Sequence, residues 1–376
     1  MRRDPIANET EQGKQMDLLE QARLTINEVD REMAKLFVRR MEAAAMVAEY
    51  KRQTGLPILD ENREAEVVRR NSELVEDPVF REYYVGFIRG NMEISRAYQS
   101  RLLEGMRVAY SGTEGAFAHI AAGKLFPTAQ RVAFGNFADA YRAVEDGKCD
   151  AAVLPVENSY NGEVGQVTDL MFSGSLYVNK MFDLAVSHDL LGTPGASAER
   201  IRTVISHPQA LGQCASQIRA HGWETREYAN TALAAKYVAE CGDPTVAAIA
   251  SEEAAGVFGL SVLARNLNAS RSNTTRFAVF SRSENRHQTG EMGAHFILVF
   301  TVRNEAGALA RAIDVVGHYG FNMHTLRSRP MKELLWQYYF YLEAEGDIHT
   351  RQGEDMLRAL SVFCDRLKLV GCYSRV

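Results

Sequence analysis

Apolar positions along the chain change their period at one clear boundary. From residue 16 to 53 they recur at helical spacing: Ile26, Val29, Met33, Leu36 and Phe37, then Ala44, Val47 and Ala48. No Gly or Pro interrupts the run before Gly55. This predicts one long amphipathic helix. Gly55 and Pro57 turn the chain, Asp60 can cap a second helix over 61–75, and Asp77-Pro78 breaks it before a third over 79–103. After the short link Glu104-Gly105-Met106 the pattern becomes alternating strand and helix. Strands are predicted at 107–110, 150–156, 203–206, 245–250 and from Asn273 to Ser281. Helices open near Ala116, after His207-Pro208-Gln209, at Asn230-Thr231 and at Ser251. Polar clusters follow these strand ends, where open α/β sheets bind ligands.

The polar stretch 284–293 reads as a second linker. Beyond it the pattern is strand 295–302, helix 308–319, strands 321–328 and 335–342, helix 353–366 and strand 367–373. That order is ferredoxin-like. The chain thus divides into a disordered polar leader (1–15), an all-α helical domain (16–104), an α/β domain (106–283) and an α+β domain (294–376). Net charge of −5 gives no sign of a nucleic-acid binder. The five cysteines are scattered without a C-x-x-C pair, which argues against a zinc site or a disulfide framework and for a reducing cytoplasm. No apolar run is long enough to span a bilayer, and the leader lacks a signal-peptide core.

Charge near the apolar stripe of the first helix changes the picture. Arg40 stands where another apolar residue would fit, and Lys51 returns to within about 20° of its azimuth, about 16 Å along the axis. Cations on a core-facing stripe need a partner or must snorkel to water. Two long side chains at that distance can converge on a small dianion. Arg23 lies one turn before Ile26, about 42 Å from Lys51, too far for one small ligand to touch both on one straight helix. If all three serve one site, Arg23 comes from a second, antiparallel chain. Taken alone, Asp60 reads as an N-cap and Ser95 with Gln99 as solvated surface. Together, Arg23, Arg40, Lys51, Asp60, Arg63, Glu64, Ser95 and Gln99 resemble, in type and order, the active-site set of the all-helical chorismate mutases. One residue fewer separates the second cluster from Ser95 than in the relative compared. The resemblance implies an intertwined dimer and a pericyclic rearrangement of chorismate to prephenate without a cofactor. It implies that Arg23 and Arg40 clamp carboxylates and that Lys51 and Gln99 hydrogen-bond the ether oxygen. Glu64 would hold the ring hydroxyl, with Asp60, Arg63 and Ser95 completing the substrate-binding set.

In the α/β domain, Asn273-Thr-Thr-Arg-Phe277, Glu157-Asn158-Ser159 and Ser206-His207-Pro-Gln-Ala-Leu211 with Gln213-Cys214 resemble the signature segments of prephenate dehydratase. That implies a two-lobed fold with the site in the cleft. Prephenate loses carbon dioxide and its ring hydroxyl together, and aromatisation drives the step. The resemblance assigns Thr275 to the leaving hydroxide, as a hydrogen-bond donor or proton relay. Arg276 is a carboxylate clamp or a brace of the cleft, and Phe277 a packing wall. Asn158, Ser159 and Asn273 join the substrate-binding set, with Glu157, His207 and His119 as candidate proton sources. Where relatives carry a proline and two hydroxyls, this chain has Thr113, Ala116 and Ala118.

Gly307-Ala308-Leu309 and Ser328-Arg329-Pro330 resemble the two ligand motifs of the ACT regulatory domain, which implies phenylalanine as effector, bound between paired domains. Relatives carry a glutamate where this chain has Arg327, a charge reversal beside that expected site. The reading is a cytoplasmic enzyme with chorismate and prephenate as substrates. It forms a homodimer or higher homo-oligomer and needs no cofactor and no metal. The alternatives are a dehydratase acting on arogenate, or a two-lobed solute sensor without catalysis.

Overall fold

The computed structural model describes residues 6–268, 273–284, 286, 293–331 and 337–374. It separates into two compact units, Met1–Gly105 and Met106–Val376. The first consists of helices α1 (Ile6–Thr54), α2 (Glu61–Ser72) and α3 (Pro78–Glu104). Local chemistry sets the helix starts. The Asp60 side chain accepts from Arg63 N at 3.0 Å. Asp77 accepts from Val79 N at 2.8 Å and Phe80 N at 3.1 Å, with Pro78 at the first helical position. Helix α1 starts at Ile6, so part of the expected leader is helical; residues 1–5 lie outside the described part. The core of this unit is small, built on Ala44 and Ala48 of α1 against Ile88 and Met92 of α3. The expected apolar stripe is otherwise uncovered within the chain: Ile26, Val29, Met33, Leu36 and Phe37 are 41–59 % exposed.

The second unit begins with β1 (Arg107–Ser111), α4 (Phe117–Leu125), β2 (Gln130–Phe134), α5 (Phe137–Glu145), β3 (Ala151–Asn158), β4 (Gly162–Glu163), α6 (Gly165–Ser173) and β5 (Tyr177–Ala185). The chain then crosses to a second lobe of β6 (Asp189–Gly192), β7 (Thr203–Ser206), α7 (Pro208–Gln213), α8 (Ala215–His221), β8 (Glu224–Glu227), α9 (Thr231–Cys241), β9 (Val246–Ala250), α10 (Glu252–Phe258) and β10 (Ser261–Ala264). It returns to the first lobe as β11 (Thr274–Ser281). The first sheet has the order β2-β1-β3-β11-β5 with β4 beside β3, and the second β10-β6-β9-β7-β8. Strands such as β3 and β9, with buried residues on both faces, carry near-continuous apolar runs because helices cover both sides.

The rest is β12 (Ala294–Thr301), α11 (Ala308–His318), β13 (Asn322–Pro330), β14 (Tyr338–Glu345), α12 (Arg351–Ser361) and β15 (Arg366–Ser374), an antiparallel sheet of order β13-β14-β12-β15. The linker expected at 284–293 falls largely outside the described residues, as does the predicted strand start at 335–336. This segment does not stand apart from the α/β lobes. On β12, Phe296, Leu298 and Phe300 face the C-terminal segment's own core, while Ile297 and Val299 join the core of the first lobe. A strand's period of two, applied to an uninterrupted apolar run, buries both faces.

Candidate active sites

In the helical unit, Arg40, Lys51, Asp60, Arg63, Glu64, Ser95 and Gln99 line one cavity of about 280 Å³. Arg23 does not line it and is exposed. Arg40 donates to Asn91 O at 2.9 Å and to Ser95 Oγ, and burial lowers its pKa. Lys51 Nζ donates to Ile58 O across the turn into α2. Arg96, absent from the sequence reading, pairs with Glu64. Gln99 is buried, and among the described residues its Oε1 has no hydrogen-bond partner. Four cations face two carboxylates in this cavity. The excess suits a small dianion, and the cations stand where developing negative charge could be stabilised.

The second cavity, about 370 Å³, lies between the two lobes of the α/β fold. Asn158, His207, Asn273 and Thr275 line it, as expected, joined by His188 and Gln213. These residues form a chain of hydrogen bonds. Gln213 Oε1 accepts from Asn273 Nδ2 at 2.9 Å and lies 2.9 Å from His188 Nε2, so Nε2 carries the imidazole proton. Asn158 Nδ2 donates to Asn273 Oδ1 at 3.0 Å and to Thr275 Oγ1 at 2.9 Å. Thr275 Oγ1 is therefore an acceptor from Asn158, and its own proton is left to donate. His188 is buried in the connection between β5 and β6, and burial lowers its pKa. His207 is the N-cap of α7, its Nδ1 accepting from Gln209 N at 3.3 Å.

Several expected residues stand elsewhere, two of them for one reason. Thr275 and Asn158 are register partners, and so are Arg276 and Glu157. Neighbours along a strand face opposite ways, so Arg276 and Glu157 lie behind the sheet that carries Thr275. Arg276 grips Asp183 through Nε and Nη2, at 2.8 and 3.2 Å. That bond raises its pKa and makes it a brace. Phe277 is buried against Val108, Tyr110 and Ala118. Ser159 accepts from Thr274 N at 3.0 Å and does not line the cavity. His119 accepts from Gly115 N within its own turn, at 3.2 Å. Among the described residues lining the cleft there is no arginine or lysine. Glu163 is the charged side chain that lines it, and the groups that could meet an anion are helix N-termini: Asn230 and Thr231 open α9, and Ala116, at the start of α4, leaves first-turn N–H groups available.

In the C-terminal segment, Gly307 has φ +78° and precedes α11, which starts with Ala308 and Leu309. Arg327, expected beside an amino-acid site, instead pairs with Glu157. Arg329 lies 3.0 Å from Asp169. Both share one face of β13, whereas Ser328 and Pro330 are exposed on the other. Elsewhere, ligand atoms of Glu284, His349 and Cys372 come within 4.8 Å of one another, a grouping that the scattered cysteines gave no reason to expect.

Two unlike cavities, one helical and cation-lined, one between α/β lobes and built on a threonine and amides, define a two-site enzyme for small anions. A chorismate mutase type II family model matches residues 22–100, and a prephenate dehydratase model residues 108–285. The chain is 34% identical over 361 residues to the bifunctional chorismate mutase/prephenate dehydratase of Neisseria gonorrhoeae, covering 95% of this chain and 97% of that one. Among solved structures, a protein described as a novel type of quorum-quenching acylase is 30% identical, with a TM-score of 0.67, over 72% of this chain and 98% of that one. A prephenate dehydratase from Arthrobacter aurescens in complex with L-Phe is 26% identical, with a TM-score of 0.65, over 72% of this chain and 90% of that one. The chain belongs to the bifunctional chorismate mutase/prephenate dehydratase family. It rearranges chorismate to prephenate and converts prephenate to phenylpyruvate, in phenylalanine biosynthesis. Among the described residues no helix is long and apolar enough to cross a membrane.

Proposed function

We propose that the cavity around Arg40 is the mutase site, that the cleft around Thr275 is the dehydratase site, and that phenylalanine acts through the C-terminal segment. In the mutase, Arg40 holds a carboxylate of chorismate, Glu64 its ring hydroxyl, and Lys51 and Gln99 the ether oxygen. Asp60, Arg63 and Ser95 complete the wall, and the reaction asks only for positioning and charge complementarity. The exposed stripe of α1 supports a homodimer in which Arg23 enters the partner's site.

In the dehydratase the bond from ring carbon to carboxylate breaks and carbon dioxide leaves. Its electron pair completes the aromatic ring, and the ring hydroxyl departs as hydroxide. The observation that carries this reading is the Asn158 to Thr275 hydrogen bond, which turns the threonine proton outward to meet the departing oxygen. Helix N-termini, rather than Arg276, receive the substrate carboxylates. A mutase in the same chain supplies prephenate, which favours prephenate over arogenate as the dehydratase substrate.

The strand–helix–strand–strand–helix–strand order supports an ACT assignment for 294–376, and the L-Phe complex of the Arthrobacter relative supports phenylalanine as effector. Gly307 bears no side chain where the backbone turns left-handed before α11, so a ligand can approach closely. Inhibition then reflects tighter phenylalanine binding to a less active arrangement. Supplying chorismate, prephenate and arogenate separately, with and without phenylalanine, tests the reading. Phenylpyruvate should form from the first two, little phenylalanine from arogenate, and added phenylalanine should slow the dehydratase. Efficient turnover of arogenate would overturn the substrate assignment, and a rate indifferent to phenylalanine would leave the C-terminal segment an assembly module.

A further inference from the structure

Strand β13 reaches the cleft from behind. Arg327 and Arg329, two apart, share a face of it. Arg327 pairs with Glu157 at the end of β3. Arg329 lies 3.0 Å from Asp169 in α6 and 3.6 Å from Glu163 in β4, and its Nε also donates to Tyr339 OH at 3.0 Å. The three acids mark the start, middle and end of the segment 157–169. Between them stand Asn158, Asn161, Gly162 and Val164, all lining the cleft. The two arginine side chains are only 27 % and 23 % exposed, so these ion pairs are poorly screened.

The fit is specific. A Cβ on Gly165 would lie 2.1 Å from Arg329 Nη1. The guanidinium therefore rests on bare backbone at the start of α6. The ladder that holds Asn158 opposite Thr275 is also irregular here: Arg276 faces Glu157 but Phe277 faces Pro155, so Val156 is left over. A bulged strand end is not fixed by regular pairing alone; Asn158 is also paired with Gly162 of β4 and its Oδ1 accepts from Tyr160 N and Asn161 N at 3.0 Å, so its place depends on where the segment that follows it is held.

We propose that Arg327 and Arg329 are positioning residues of the dehydratase, which clamp the segment 157–169 so that Asn158 stays within hydrogen-bond reach of Thr275. This rests on the reading of Thr275 and Asn158 as the dehydratase site. The clamp comes from the segment that carries the phenylalanine motifs, and Arg327 takes part through the charge reversal noted in the sequence. A displacement on the order of 1 Å at a catalytic group costs up to about a hundredfold in rate, so losing one arm of the clamp is expected to cost about tenfold.

The test uses the full-length chain with prephenate supplied. Arg327→Gln should lower kcat about tenfold with KM within about twofold, because substrate binding by helix N-termini is untouched. Arg327→Lys, which keeps the charge, should regain most of the loss. Glu157→Gln should reproduce the defect, and the double variant should be no slower than either single one. Mutase turnover of the same samples should be that of the wild type. A wild-type kcat for Arg327→Gln, or losses that simply multiply in the double variant, would overturn the proposal. If Arg327→Gln does not fold, Gly165→Ala decides: it changes no charge, suits a helix and pushes Arg329 from its seat. A wild-type kcat in Gly165→Ala would then contradict the clamp. Thr275→Ala runs alongside; if it still dehydrates prephenate, the cleft assignment itself fails, whatever the clamp variants do.

Discussion

In the proposed dehydratase cleft, single residues act through hydrogen-bond direction. The run from His188 through Gln213, Asn273 and Asn158 to Thr275 fixes the threonine as acceptor from the protein and donor to the ligand. His188 Nε2–H donates to Gln213 in either protonation state, but burial favours the neutral ring. Among the described residues its buried Nδ1 has no hydrogen-bond partner, so there a second proton would be a donor with nothing to receive it. Burial accordingly holds its pKa below the ordinary 6.5. The sign follows: as pH falls through 6.5, the unfolded chain takes up this proton before the folded one. Stability from this group is lost between 6.5 and the folded pKa. An NMR titration of the histidine ring protons should place the His188 midpoint below 6.5; a midpoint at or above that value would mean the ring has an acceptor and the run is wired otherwise. His188 was not legible in the sequence, where it is one polar residue between two strands. Asn158, Asn273, His207 and Thr275 were legible because their motifs are distinctive. Glu157 faces away from the cleft, and Arg276 takes the bracing role that was one of its two readings, since residues adjacent in sequence sit on opposite faces of a strand.

At the scale of elements, helix α1 poses the sharpest question. Its period and length were readable, and the structure extends it to Ile6. Its stripe of Ile26, Val29, Met33, Leu36 and Phe37 remains exposed, and burying such side chains is worth about 1.5–3 kcal/mol each. A second copy laid antiparallel would cover the stripe and could bring its Arg23 to the cavity, which this chain's own Arg23 does not line. Mixing inactive Arg23→Ala with inactive Lys51→Ala protein, with subunit exchange, should restore part of the mutase activity, because one site in each mixed dimer is intact. No recovery despite demonstrated exchange would place Arg23 outside the site. The C-terminal strands teach the converse lesson. Their order was legible, but their union with the first lobe was not. An apolar run such as Phe296 to Phe300 does not say that its alternate residues serve two cores.

Across the whole molecule, the chain carries two sites in two units, each built from its own residues and its own chemistry. In the proposed reading the cation-lined cavity stabilises a charge that shifts within one molecule, whereas the cleft helps a hydroxide leave. The two sites should work independently on consecutive substrates. The direct measurement follows both reactions in the Arg40→Ala and Thr275→Ala chains. Arg40→Ala should lower chorismate turnover by about a hundredfold or more and still dehydrate added prephenate at the wild-type rate. Thr275→Ala should rearrange chorismate normally and accumulate prephenate. Loss of both activities in either folded variant, or normal phenylpyruvate output from Thr275→Ala, would contradict the account.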